Sequence, residues 1–256
     1  MDRDAREKRE KWNPNSQSPE GPSQSQEQMM TGDKVVSRLQ SLAQPGNLEG
    51  MKRFGIPTAH ALGISLPTLR RLTKEIGRDH ALAEELWATG IHEALILATL
   101  VDNPKQVSER QMEAWVRDFD AWDLCDQCCS NLFDRSPHAY RKVVEWSSRE
   151  EEFVKRAGFV LMAALSVHDK KADDRVFRKF FPIITREALD DRPYVRKAVN
   201  WALRQIGKRN PALNREAIRV AGEIRAIDSR AARWIASDAL RELTGEKVQR
   251  RLEKKR

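Results

Sequence analysis

The sequence predicts an all-α protein in which antiparallel helix pairs stack as a solenoid. Three observations support this fold class. The composition is poor in glycine and tyrosine, with 12 Gly and 2 Tyr among 256 residues, which disfavours an all-β fold. Apolar residues recur at helical spacing from about residue 33 to about residue 243. Short turns that contain proline interrupt this pattern, as they do between antiparallel helices.

Turn residues delimit the helices in chain order. The first 31 residues are rich in Ser, Gln and Pro and carry no apolar periodicity, so we expect a disordered tail over 1–31. The folded domain is expected over 32–245, and 246–256 is set apart as a basic C-terminal tail. Prolines mark helix starts or ends within the domain: Pro45, Pro67, Pro104, Pro137, Pro193 and Pro211.

An internal repeat strengthens the solenoid prediction. The residues Phe153 to Ala157 match Tyr194 to Ala198 type for type, 41 positions further along, and the segment 229–234 is a weaker echo. A period near 40 residues with two helices per unit is typical of HEAT and armadillo repeats. Such units bury their apolar faces only by stacking, and the stack forms a concave binding surface.

The charge balance suggests an anionic partner. The chain has 46 Lys and Arg against 38 Asp and Glu, a net charge of +8. A basic folded body with a basic tail is typical of nucleic-acid binding, although solubility alone is an alternative reading of so modest a charge. No apolar run approaches the roughly 18 residues of a membrane helix. The absence of a signal sequence at Met1–Asp4 and the presence of only three Cys predict a cytoplasmic protein, associated with the nucleoid in a bacterium.

A tryptophan lies in the basic stripe of the helix predicted over 194–208. At 100° per residue the apolar side chains form one complete face, and Lys197, Arg204 and Lys208 lie opposite with Trp201 among them. Trp201 either packs against a neighbouring repeat or contributes to a site for a phosphate backbone with a base or sugar. Because the apolar face is complete without it, the second interpretation is favoured.

The segment 121–129 places a carboxylate on an apolar helix face. Asp126 lies four residues after Trp122 and on the same side as Cys125 and Cys129. An unpaired charge is costly there. Asp126 therefore pairs with a buried Arg, caps another helix, or stands beside the indole to stabilise a transient cation or orient a water. The spacing leaves these alternatives open.

Arg156 lies in the first turn of the apolar helix predicted over 153–167. A cation there opposes the helix dipole and needs an anionic partner. Either the acidic run 150–152 or a phosphate would serve. The three cysteines, at 125, 128 and 129, are too few for a closed zinc site, so no metal is predicted. The sequence also has no P-loop, dinucleotide motif or Ser-His-Asp pattern.

These motifs resemble those of the AlkD family, the DNA alkylation-repair glycosylases built from HEAT-like repeats. The resemblance runs over about 51–243 and rests on the segments 119–126, 154–157 and 198–204, in this order and spacing. It implies that Asp126 is the catalytic carboxylate, that Trp122 and Trp201 frame the deoxyribose of the lesion, and that Arg156 holds the DNA backbone. The further DNA-binding candidates are Lys155, Lys197, Arg204 and Lys208.

The resemblance implies a monofunctional glycosylase that excises N3- and N7-alkylated purines from duplex DNA. It implies a monomer with no cofactor and no membrane partner. A DNA-binding relative without excision activity and a HEAT-repeat scaffold for protein partners are the alternative functions. The sequence departs from the family pattern at two places: Ala121 replaces an aromatic residue before Trp122, and no Tyr accompanies Met51 and Lys52.

Overall fold

The computed structural model describes residues 30–254, and its regular structure is entirely helical. The α-helices are α1 (Gly32–Ser41), α2 (Leu48–Arg53), α3 (Leu66–Ile76), α4 (His80–Ala88), α5 (His92–Val101), α6 (Glu109–Arg117), α7 (Trp122–Asn131), α8 (Ala139–Trp146), α9 (Glu152–His168), α10 (Asp174–Arg178), α11 (Phe180–Glu187), α12 (Pro193–Gly207), α13 (Pro211–Arg225), α14 (Arg230–Leu243) and α15 (Glu246–Glu253). Two 3-10 turns lie at Pro45–Asn47 and Phe133–Arg135. The all-α prediction is confirmed for the described residues.

Five helices stack side by side and form the body of the molecule. They are α5, α7, α9, α12 and α14, each in contact with the next, and we call them the inner row. The consecutive helices α4 and α5, α8 and α9, and α13 and α14 pack as pairs. This is the predicted solenoid of helix pairs, in which each unit covers the apolar face of its neighbour.

The central helix of the inner row, α9, is buried along most of its length. Every residue from Val154 to Ser166 is buried, because α7, α8 and α12 cover it. Gly158 permits the close approach of the chain at the end of α8, since a Cβ there would lie 2.6 Å from the Ser147 backbone nitrogen. The burial of α9 on several sides explains why its sequence is apolar nearly all round.

A buried carboxylate fixes the loop between α2 and α3. Glu93 on α5 accepts hydrogen bonds from the backbone N–H groups of Leu62 (2.8 Å), Gly63 (2.7 Å) and Ile64 (3.1 Å). Hydrogen bonds to a charged acceptor replace the hydration that this carboxylate loses on burial. The loop is therefore tied to the inner row, and its other end reaches the candidate site.

The structure describes most of the predicted C-terminal tail and almost none of the N-terminal one. The N-terminal tail lies almost wholly outside the described residues. The basic C-terminal segment is helical over Glu246–Glu253, because Val248 and Leu252, one helical turn apart, are both buried. Arg251 donates a hydrogen bond to the Lys208 carbonyl (2.9 Å). This part of the C-terminal segment is packed on the solenoid and is not a free tail.

Candidate nucleic-acid cleft

A cleft of about 610 Å³ opens where the N-terminal parts of α7, α9 and α12 meet the end of α2. Its lining residues are Lys52, Arg53, Phe54, Gly55, Trp122, Asp126, Arg156, Tyr194 and Lys197. Four of the residues predicted for the site line this cleft: Trp122, Asp126, Arg156 and Lys197. The structure does not bring Lys155, Trp201, Arg204 and Lys208 into its lining.

The cleft residues share one register on the inner row. Asp126, Arg156 and Lys197 are each the fifth residue of their helix, on α7, α9 and α12 respectively. Arg156 makes hydrogen bonds to both neighbouring helices of the row, to Asp126 on one side and to the Tyr194 carbonyl on the other. The N-terminal ends of the three helices carry partial positive charge, which favours an anionic ligand in the cleft.

A bidentate ion pair occupies the cleft. Arg156 donates from Nε to Asp126 Oδ1 (3.0 Å) and from Nη2 to Asp126 Oδ2 (2.9 Å), and its Nη1 donates to the Tyr194 carbonyl (2.7 Å). The Asp126 side chain remains 16% exposed and that of Arg156 only 6%. Burial raises the pKa of the Asp126 carboxyl, while the charge and hydrogen bonds of Arg156 limit the rise.

The structure supplies a partner for each of these two charged side chains. Asp126 pairs with a buried arginine, and Arg156 pairs with Asp126 rather than with the acidic run 150–152. Each of the three guanidinium nitrogens of Arg156 donates one hydrogen bond within the protein, and two of these bonds orient the Asp126 carboxylate. The sequence could not show this, because 30 residues separate the two side chains.

Three aromatic residues line the cleft beside the ion pair: Phe54, Trp122 and Tyr194. The Trp122 indole donates from Nε1 to the Phe54 carbonyl (2.9 Å), which holds the end of α2 against α7. The Tyr194 ring contacts that of Phe153, with 5.3 Å between centroids. Gly55, with φ of 75°, lets the chain pass the tyrosine closely, because a Cβ there would lie 2.3 Å from Tyr194 Oη. Phe54 itself is 72% exposed.

Tyr194 lines the cleft from the start of α12, whereas Trp201 does not. The two residues lie on the same side of α12, but seven residues separate them, which is about 10 Å along a helix. Trp201 is half-buried and packs against the hydrophobic core. The predicted role of Trp201 beside the lesion stays a prediction. The repeat held the missed signal, since Tyr194 aligns with Phe153 beside Arg156.

Of the two predicted lysines near the start of α9 and α12, only one faces the cleft. Lys197 is exposed and makes no ion pair with any residue from 30 to 254. Lys155 is buried, with its Nζ 2.8 Å from Glu187 Oε2 and 3.5 Å from Asp190 Oδ2. Lys155 is therefore paired within the protein, and its contact with DNA stays a prediction.

The last turn of α12 carries cations that the next repeat neutralises. Arg204 Nη1 lies 2.5 Å from Glu242 Oε2 and 3.4 Å from Asp238 Oδ2, and Lys208 Nζ lies 2.5 Å from Glu242 Oε1. The predicted basic stripe is thus largely compensated beyond Lys197. A projection of one helix cannot reveal this, because the carboxylates belong to α14. The cleft gains instead two cations that the prediction missed, Lys52 and Arg53.

The cysteines do not form part of the site. Cys125, Cys128 and Cys129 are buried and unbridged, and burial raises the pKa of the Cys128 and Cys129 thiols. Within residues 30–254 no group of three or more His, Cys, Asp and Glu side chains is arranged to hold a metal ion. In the same part of the chain, every helix is too short or too polar to span a bilayer.

The fold and the cleft define a helical-repeat protein whose inner helices present a fixed carboxylate, aromatic rings and cations together. The family described as "DNA alkylation repair enzyme" matches this chain over residues 35–243, and the chain belongs to that family. The resemblance seen in the sequence motifs is confirmed at this level.

Two proteins are similar to this chain in sequence, and one solved structure is similar to it in fold. A protein of Listeria innocua and one of Listeria monocytogenes, both described as uncharacterized, are 24% and 22% identical over 135 residues, which is 51% of this chain. The matched part spans 60% of the length of each relative. A solved structure superposes with a TM-score of 0.70 at 19% identity, covering 82% of this chain and 94% of its own. It is described as one of a new family of proteins related to the HEAT-like repeat DNA glycosylases with affinity for branched DNA structures, and its likeness confirms the solenoid fold.

Proposed function

We propose that the chain is a monofunctional DNA glycosylase that releases N3- and N7-alkylated purines from duplex DNA by hydrolysis of the N-glycosidic bond. One observation carries the proposal: the Asp126 carboxylate is held in fixed orientation by Arg156 in an open cleft that Trp122 and Tyr194 also line. Membership of the DNA alkylation repair family supports alkylated DNA as the substrate.

The chemistry of these lesions matches the groups in the cleft. An N3- or N7-alkylated purine carries a positive charge, so it leaves with the electron pair of the C1′–N bond as a neutral base and needs no protonation. Positive charge develops on the sugar as that bond breaks. The Asp126 carboxylate and the electron-rich faces of Trp122 and Tyr194 stabilise this charge. Water then adds to C1′, and its proton passes to Asp126 or to solvent.

Arg156 acts in this proposal as a positioning residue. Its two hydrogen bonds fix both carboxylate oxygens, each of which keeps a lone pair for a water molecule. A carboxyl whose pKa is raised by burial is also a better proton acceptor than a free one. The same ion pair compensates part of the carboxylate charge, and this observation favours the second candidate function, DNA binding without excision.

Two exposed lysines supply the contact with the DNA backbone. Lys52 and Lys197 line the cleft, and neither makes an ion pair within the described chain. Together with the helix N-termini, they suit phosphates of any sequence. Arg156 and Lys155, which resemblance and charge suggested for this role, are already paired within the protein.

The test is release of free base from methylated duplex DNA. We expect the native chain to release the methylated purine, and Asp126→Asn to slow single-turnover release by about 100-fold or more, since an electrostatic catalytic group contributes about 3 kcal/mol. DNA affinity should change by no more than a few-fold. Asp120→Asn is the matched control, because it removes the same charge from an exposed position six residues earlier, and it should leave the rate unchanged.

Each remaining outcome selects another function. A rate for Asp126→Asn close to that of the native chain overturns the catalytic assignment. Salt-dependent DNA binding by the native chain without any base release supports the DNA-binding alternative. Absence of DNA binding supports the scaffold alternative.

A further inference from the structure

An exposed tryptophan lies on α14, the last helix of the inner row and the neighbour of α12. Contacts between α12 and α14 join positions 38 residues apart, and this interval sets Trp234 opposite Arg196. The Trp234 side chain is 39% exposed, whereas most large apolar side chains of this solenoid are buried. The segment 229–234 is also the weak third copy of the repeat, which the proposed chemistry leaves unused.

An arginine is stacked on this indole. The guanidinium carbon of Arg196 lies 4.7 Å from the centroid of the Trp234 ring. Arg196 Nε makes no hydrogen bond within the described residues, so the stack itself holds the side chain in place. Arg196 directly precedes Lys197, which lines the cleft. The stack on Trp234 and the cleft therefore each involve one of two neighbouring residues of α12.

The surroundings of Trp234 are basic. Arg230 and Arg233 lie in the same first turn of α14 and are both exposed. Asp228 Oδ1 lies 2.8 Å from Arg233 Nη1, and because both side chains are exposed this ion pair is worth little. Asp238, one helical turn after Trp234, is itself paired with Arg204 and Arg241. Cations beside an exposed aromatic face are the combination with which proteins hold single-stranded nucleic acid.

We propose that Trp234, with Arg196 stacked on it, binds an unpaired nucleotide of the DNA strand that leaves the cleft. An indole offers a flat face, and a base can stack on it only when its own face is not covered by neighbouring bases. Bases within a continuous duplex are covered on both faces, whereas those of an overhang or a branch are not. The ligand is therefore DNA with a single-stranded segment next to a duplex. The inference rests on the proposed function only in taking DNA as the ligand of the cleft.

The experiment compares two unmodified DNA probes on three variants. One probe is a blunt duplex, and the other is the same duplex with a single-stranded extension of ten nucleotides. Trp234→Ala should weaken binding of the extended probe roughly tenfold, the size of one base–aromatic stack, and that of the blunt duplex less than about twofold. Trp234→Phe should retain most of the affinity. Leu189→Ala is the control, because Leu189 is an exposed apolar residue outside the row.

The outcomes separate this inference from the glycosylase proposal. Equal losses on both probes, or no loss on either, overturn the Trp234 site. Base release is measured in parallel on a blunt methylated duplex, where Trp234→Ala should match the native rate. If the native chain releases no base but Trp234→Ala still loses affinity for the extended probe alone, the glycosylase proposal fails and the Trp234 site stands. If the native chain binds neither probe, both fail.

Discussion

The two ends of α12 carry similar residues in opposite circumstances. At its start, Tyr194 and Lys197 line an open cleft, and the lysine has no ionic partner among residues 30–254. In its last turn, Arg204 and at its C-cap Lys208 share the carboxylate of Glu242 from the next repeat. The comparison shows that charge on an inner helix does not by itself mark a binding surface. A cation is available to a ligand only where the following repeat supplies no acid.

The largest expected difference concerns stability, and it compares the ion pair in the cleft with the ion pair at the C-terminal end of α12. Arg156→Ala strands the nearly buried Asp126 carboxylate, and we expect the free energy of unfolding to fall by about 3 kcal/mol. Arg204→Ala removes one arm of a more exposed pair, whose side chains are 27% and 30% accessible, and should cost about 1 kcal/mol or less. Urea denaturation of both variants measures the difference. Equal losses would contradict the distinction between the two ion pairs.

The second expected difference concerns the two aromatic residues on the same side of α12. Trp201→Ala should lower the free energy of unfolding by about 2 kcal/mol, since the ring is half-buried against the core and full burial is worth about 3–5 kcal/mol. Its effect on base release should be small. Tyr194→Ala should slow release about tenfold, because an aromatic face beside the developing cation is lost.

The measurement pairs a denaturant melt with single-turnover release for each of these variants. These expected results are the opposite of those that the helical projection predicts, by which Trp201 faces the ligand. Slow release by Trp201→Ala with an unchanged free energy of unfolding would place Trp201 beside the ligand after all.

The smallest expected effect is on the salt dependence of DNA binding. Lys197→Ala should weaken binding to all duplexes alike by a few-fold, and the slope of log affinity against log salt should fall by about one unit, as expected for one lost phosphate contact. Lys208→Ala removes the same charge from a lysine already paired with Glu242 and should leave the slope unchanged. A fluorescence-anisotropy titration at several salt concentrations compares the two. The same slope for both variants would show that the pairing of Lys208 does not persist in the complex.

The sequence predicted most of the fold and about half of the cleft, for a physical reason. Helical periodicity and prolines report on local structure, so the helices and their order could be read directly. Trp122, Asp126 and Arg156 could be found because short motifs carry them. The pairing of Arg204 with Glu242 joins positions 38 residues apart. Whether Trp201 packs against the core or lines a cleft depends on the helices beside α12. Neither is encoded within a single helix.

Contacts between the last two helices of the inner row, α12 and α14, share one separation along the chain. Asn200 bonds to Asp238 and Arg204 to Glu242, each across 38 residues, and Arg196 stacks on Trp234 across the same interval. For protein engineering, these contacts determine which helix pairs can follow α12. A chimera that takes its last helix pair from another solenoid should be compatible with α12 only if it presents an aromatic residue and two acids at matching positions. Repeats of this protein are therefore exchangeable parts only together with the matching face of their neighbour.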